Sequence, residues 1–146
     1  MAVLCDDQPN WRPDRFEYNV GGCSVGIRYL VAKLLDYKER AAELEKDQNP
    51  LAAVVVAQLK ALETRDAPNT RWEWKVRLIK GLYDRGLDAE AVRKLFRILD
   101  WLLTLPKELE QSFRQELDRF EEERRMPYVT SVERLAREEG RQEGVV

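Results

Sequence analysis

The sequence predicts an α+β fold, mostly α, in which a short N-terminal strand and a β-hairpin pack on a bundle of about five helices. Three observations carry that expectation. Residues 15 to 29 alternate apolar and polar about a Gly21-Gly22 pair. From about Val31 onward, apolar residues recur at helical spacing instead. Helix-opening residues, namely Asn49-Pro50, Asp88 and Pro106, then stand in front of the periodic segments. The 146 residues, 44% hydrophobic and 36% charged, suit one compact domain, or a small domain with an appendage, that has a real core and a very ionic surface.

Ala2 to Cys5 is a short apolar run ended by Asp6-Asp7, and Pro9 and Pro13 enforce an extended loop around Trp11. Phe16, Tyr18 and Val20 then share one face of a strand. Gly21-Gly22 supplies the positive φ of a tight hairpin, and Cys23, Val25, Ile27 and Tyr29 alternate back. So little sheet is too small to stand alone. Beyond it, Leu34-Leu35 leads into a charged stretch that reads as a short helix through Glu45.

Asn49 caps a helix with Pro50 at its first position, running to about Glu63 and carrying Val54, Val55, Leu59 and Leu62. It is apolar nearly all round in its first half, which suits a central buried element. After a break at Asp66-Ala67-Pro68-Asn69, a second helix presents Trp72, Val76, Ile79 and Tyr83 as one stripe, with Gly86 just past its end. Asp88 caps a third, whose wide apolar face runs from Ala91 to Leu103. The link between these two is short, so they should form an antiparallel hairpin.

Pro106 opens a fourth helix to about Arg125, with a narrow seam of Leu109, Phe113, Leu117 and Phe120. Thr130 or Ser131 caps a last helix with few apolar teeth, and the Glu139 to Gly144 tail holds too much charge and glycine to pack firmly. The expected organisation is a partial β element over 1–30, a helical bundle over 31–105, and a charged arm and flexible tail over 106–146. Two readings of the arm stand open. It is a solvated, salt-bridged helix, or the seam Leu109, Phe113, Leu117 and Phe120 joins two copies as a homodimer.

Composition excludes much chemistry. There is no histidine, which removes a Ser-His-Asp triad, a Cys-His pair or an HExxH zinc site from this chain. A net charge of −2 argues against a uniformly basic nucleic-acid coat. Cys5 and Cys23 are too few and too far apart for a zinc tetrahedron, and read as reduced, buried or half-buried thiols. The start lacks the basic segment of a signal peptide, and the apolar run Leu51 to Ala57 is too short to cross a bilayer. A soluble, cytoplasmic protein with no membrane partner is expected.

Pro13-Asp14 and Glu73-Trp74-Lys75 spell the letters of a PD…ExK nuclease site. That site needs Glu and Lys on one strand, two apart and facing the same way. Residues 73 to 75 fall in a predicted helix, where two positions turn the chain by about 200°. Asp6-Asp7 have the charge to hold Mg²⁺ but stand at a solvated strand end. No catalytic or metal-ligating residue is assigned. A basic, aromatic stretch from Arg71 to Arg97 offers Arg93, Lys94 and Arg97 as nucleic-acid contacts, although acidic residues interleave with it.

Several segments resemble a known family as a set. They are Asp6-Asp7-Gln8-Pro9-Asn10-Trp11-Arg12-Pro13, Lys33-Leu34-Leu35-Asp36-Tyr37, Leu95-Phe96-Arg97-Ile98-Leu99-Asp100-Trp101-Leu102, Tyr128-Val129-Thr130-Ser131 and the closing Glu139-Gly140-Arg141-Gln142-Glu143-Gly144. Together they resemble the later part of Rpn-type recombination-promoting nucleases, also described as transposases, within the PD-(D/E)XK nuclease superfamily. In that family the metal-binding carboxylates and the ExK-type strand lie upstream of the strand that Ala2 to Cys5 resembles.

The resemblance therefore implies a truncated or split relative, non-catalytic alone, acting in packing, oligomerisation or DNA contact. It implies Mg²⁺ only for an intact family member, and a second chain as the source of any missing nuclease core. The competing expectation is a helical interaction or adaptor module with no nucleic-acid role.

Overall fold

A computed structural model describes residues 1–144. The fold is α+β and mostly α. Strand β1 (Ala2–Leu4) pairs in parallel with β4 (Val31–Lys33), and β2 (Arg15–Val20) pairs antiparallel with β3 (Cys23–Arg28) as a separate hairpin. A 3-10 segment (Leu34–Arg40) leads into α1 (Ala41–Lys46), followed by α2 (Pro50–Glu63), α3 (Pro68–Asp84), α4 (Ala89–Leu102), α5 (Lys107–Arg124) and α6 (Thr130–Glu143).

Local chemistry sets most of these bounds. Gly21 and Gly22 both have positive φ, 55° and 81°, as a two-residue hairpin turn of the right twist requires. Asn49 accepts from the Leu51 N–H at 3.0 Å and Asp88 from the Ala91 N–H at 2.8 Å, so both caps form as the sequence predicts. Gly86 follows α3 with φ 71°, the left-handed closure that glycine adopts without penalty.

The core lies among α2, α3, α4 and α5. Val56, Ala57, Leu82, Val92, Leu99 and Leu103 are wholly inaccessible, and Phe113, Leu117 and Phe120 join the same cluster. Charged rungs tie α3 to α5: Lys75 to Glu110, Lys80 to Glu116 at 2.6 Å, and Asp84 to Arg124 at 2.6 Å. Their numbers ascend together, so these two helices run parallel. The α4 segment returns between them and makes the expected antiparallel hairpin with α3.

Several expectations change. The seam Leu109, Phe113, Leu117 and Phe120 does not form a free coiled-coil face. Phe113 and Leu117 are buried against the chain's own α3 and α4, Phe120 meets the Tyr83 ring edge-on at 5.1 Å, and Leu109 is half-buried on the same cluster. Helix α5 thus belongs to the body of the fold and not to an arm. Residues 31–33 form a strand where a helix was expected, because their backbone pairs with Ala2 to Leu4 of β1. Residues 139–143, expected as loose tail, continue α6, although no residue of α6 is buried. Val145 and Val146, the end of that tail, lie outside the described residues. Cys5 and Cys23 are exposed, correcting the expectation of buried or half-buried thiols. Among the described residues, no helix is long and apolar enough to cross a membrane.

Candidate functional site

The parallel pair β1–β4 places a small charged cluster at its C-terminal ends, the position where parallel sheets usually present functional groups. The register sets Leu4 beside Lys33, so the chain leaving β1 carries Asp6 toward the Lys33 ammonium. Lys33 is 2% exposed, and its three hydrogens have three acceptors: Asp6 Oδ1 at 2.7 Å, Asp6 Oδ2 at 2.9 Å and the Trp11 carbonyl at 2.8 Å. Its ammonium also lies 5.6 Å from the Trp11 ring centroid. Beside it, Arg12 grips Asp36 with two bonds, 2.6 and 2.9 Å.

Lys33 holds the Asp6 carboxyl below its ordinary pKa, first through their hydrogen bond. Arg12 does the same for Asp36. Both carboxylates are therefore ionised and already matched to a cation. The cluster fastens the Pro9–Pro13 loop onto the sheet, and no acid or base is left unmatched for proton transfer.

The letters PD…ExK come apart in space. Glu73 is exposed on α3, whereas Lys75, two residues on, is 1% exposed and faces the core. Lys75 Nζ lies 2.8 Å from Asp100 and 3.0 Å from Glu110, with the Phe113 ring centroid 4.5 Å away. Asp14 pairs with Arg15 at 3.3 Å in the loop before β2. These residues do not fit a shared metal site of two carboxylates and a lysine.

The basic stretch is mostly committed inside the fold. Arg71 donates to the Ala61 carbonyl at 2.7 Å, to the Thr104 carbonyl and to the Thr64 hydroxyl. Arg85 reaches the Glu45 carbonyl at 2.9 Å, and Arg77 pairs with the Glu45 carboxylate. Of the three proposed nucleic-acid contacts, Arg93 is half-buried and donates to the Tyr128 carbonyl. Lys94 is exposed and pairs with Glu90 at 3.0 Å. Arg97 is exposed and has no ionic partner among the described residues. The structure does not bring the three together as one free patch.

It sets Arg97 instead on the same face as Trp101, four residues on and 77% exposed. Periodicity alone assigns Trp101 no role of its own, because it falls within the apolar run of α4. The signal was available: Trp101 is offset from the buried line Val92, Leu95, Phe96 and Leu99.

A cleft of about 580 Å³ between α5 and α6 carries Arg114, Arg125, Arg134 and Arg137, interleaved with Asp118, Glu122 and Glu133. Arg114 already contacts Asp100, Glu110 and Glu133. Below it, Glu121 is 1% exposed and accepts from the N–H groups of Val129 and Thr130, at 2.8 and 3.0 Å. It also accepts from the Tyr83 and Thr130 hydroxyls. A carboxylate of the chain itself thus occupies the anion-attracting N-terminus of α6. Burial, then Glu121, raises Tyr83 well above the ordinary phenol value, so its hydroxyl is a fixed donor.

No family model, curated protein or solved structure gives a match to this chain.

Proposed function

We propose that this chain is a non-catalytic scaffold module of an Rpn-like nuclease, acting in the cytoplasm through packing and assembly. One observation supports it above all. The strands β1 and β4 form a parallel pair of three residues each, with no further strand beside either among the described residues. Parallel strands are normally found within larger sheets covered on both faces. A pair this small reads as the rim of a sheet continued by another segment or chain, which on the family resemblance would be a metal-dependent nuclease core. The helical body supports the same role, since nearly all its interior charges are matched within the chain.

The adaptor reading, with no nucleic-acid role, draws support from Arg93 and Lys94, whose bonds to Tyr128 and Glu90 leave little free positive charge. The Arg97–Trp101 face favours DNA contact, a guanidinium for phosphate beside an indole for an unpaired base.

Purified protein incubated with supercoiled plasmid and Mg²⁺ or Mn²⁺ should leave the plasmid intact. Metal-dependent nicking that survives repurification would overturn the non-catalytic assignment. DNA contact should appear as a mobility shift of single-stranded DNA that weakens with salt and with Arg97→Glu plus Trp101→Ala. A complete lack of shift at low salt would favour the adaptor.

A further inference from the structure

The hairpin β2–β3 is amphipathic without having anything to cover it. Its register sets Phe16 opposite Ile27, Tyr18 opposite Val25 and Val20 opposite Cys23. Directly opposed residues share a face, and alternate residues return to it, so all six stand together. The reverse face carries Arg15, Glu17, Asn19 and Arg28. In a folded protein such alternation marks one face for burial. Here every residue of both strands is exposed, and the five large apolar side chains are 55–62% accessible. A lone two-stranded hairpin is marginal in water, so a cover for this face would stabilise the element itself.

We propose that the cover is a second copy of the same hairpin, the two apolar faces meeting about a two-fold axis. The area supports it. Two aromatic and three aliphatic side chains at these exposures present roughly 500 Å² per copy, so a pair buries about 1,000 Å², the lower bound for a specific interface. That patch also lies toward the top of the range that a monomer leaves uncovered, about 300–600 Å². The face contains no charge, so self-pairing buries none, and Arg15 and Glu17 pair with each other on the reverse at 3.9 Å. A membrane surface would favour a rim of lysines and arginines around the apolar face; this hairpin has two arginines, both on the reverse face, and Arg15 is paired with Asp14 and Glu17. An isologous contact needs only this one surface. The inference does not depend on the nuclease resemblance, and it moves self-association from the α5 seam to the N-terminal hairpin.

Sedimentation equilibrium of the full chain over a dilution series tests it. The wild type should run between monomer and dimer. Tyr18→Glu with Val25→Glu should hold it at half the dimer mass at every concentration, with the helical circular dichroism unchanged because the hairpin lies apart from the helical core. Glu17→Lys with Asn19→Lys, on the reverse face of the same strand, should leave the dimer intact. In parallel, Cys23 should react more slowly with a thiol reagent as concentration rises, while exposed Cys5 keeps its rate. A wild type that is monomeric throughout overturns the proposal. So does a dimer that survives the Tyr18 and Val25 changes, or one lost in the reverse-face variant. A monomer that co-sediments with anionic phosphatidylglycerol vesicles, and loses that binding with the Tyr18 and Val25 changes, would assign the face to lipid and overturn it equally.

Discussion

The Lys75 ammonium lies 2.8 Å from Asp100 Oδ1, so a buried lysine of α3 is fixed to α4 and, through Glu110 at 3.0 Å, to α5. Three helices of the core converge on one charge. Removing it leaves two partly exposed carboxylates facing each other, which still share Arg114. Because both carboxylates keep some solvent and Arg114, the loss should fall below the roughly 3–5 kcal/mol of a fully buried broken pair. Lys75→Ala should lower the urea midpoint accordingly. Lys75→Met combined with Asp100→Asn should recover part of the loss, since it removes the stranded charge as well. A Lys75→Ala protein as stable as wild type would refute this account of the core.

The α5 seam leads to a different expectation. Phe113 is 1% exposed and Leu117 2%, both inside the chain's own core. Phe113→Glu with Leu117→Glu should abolish cooperative unfolding and near-ultraviolet dichroism, because two charges enter a dry cluster. Phe113→Ala alone should cost about 3–5 kcal/mol in denaturant. Were the double variant to remain folded with only its mass halved, the seam would have to be an interface after all.

That contrast shows what was legible in the sequence. The hairpin, the two Asx caps and Gly86 act through the local backbone, so residue identity announced them. The expected α3 stripe holds at Ile79 and Tyr83, which are buried, and shifts in its first half. Trp72 and Val76 are only half-buried, while Lys75, Leu78, Ile79, Leu82 and Tyr83 form the buried line. A lysine at a core position looks polar to any periodicity, and only Asp100 and Glu110, distant in sequence, make its burial tolerable. Strand β4 is invisible to periodicity for a related reason. Three residues carry no period, and their backbone partners in β1, Ala2 to Leu4, lie far off in sequence. The narrow α5 seam resembled a coiled coil because a helix contacting neighbours on one side shows the same stripe, whichever chain supplies them.

Glu121 should govern whether α6 stays docked. It accepts from the N–H of the cap residue Val129 and from that of Thr130, the first residue of the helix, and α6 buries no residue of its own. Glu121→Ala should cost about 1.5–3 kcal/mol, as for hydrogen bonds to a charged group. The loss should be local. Amide exchange at Val129 and Thr130 should accelerate sharply while Leu82 and Leu99, deep in the core, keep their protection. Glu121→Gln should retain part of the effect, since its single carbonyl oxygen can still accept. Uniform acceleration across all the helices would instead make Glu121 a global core residue.

The Asp6–Lys33 clamp gives the fold an acid dependence of known sign. Lys33 lowers the Asp6 carboxyl below its ordinary value of 3.8, chiefly by hydrogen bonding. A folded pKa beneath the unfolded one means that the unfolded chain binds the proton more readily. The clamp's contribution is therefore complete above the ordinary aspartate range and disappears as pH falls through the depressed folded value. The first segment to loosen in acid should be the Pro9–Pro13 loop, because Lys33 also holds the Trp11 carbonyl at 2.8 Å. In a background with Trp72, Trp74 and Trp101 replaced by Phe, Trp11 emission followed from neutral pH downward should shift in that window, ahead of the helical dichroism. Asp6→Asn should remove the shift and leave the loop equally loose at neutral pH. If Trp11 and the helices respond together in both proteins, the clamp does not hold the loop, and Asp6 would be one more solvated carboxylate at a strand end.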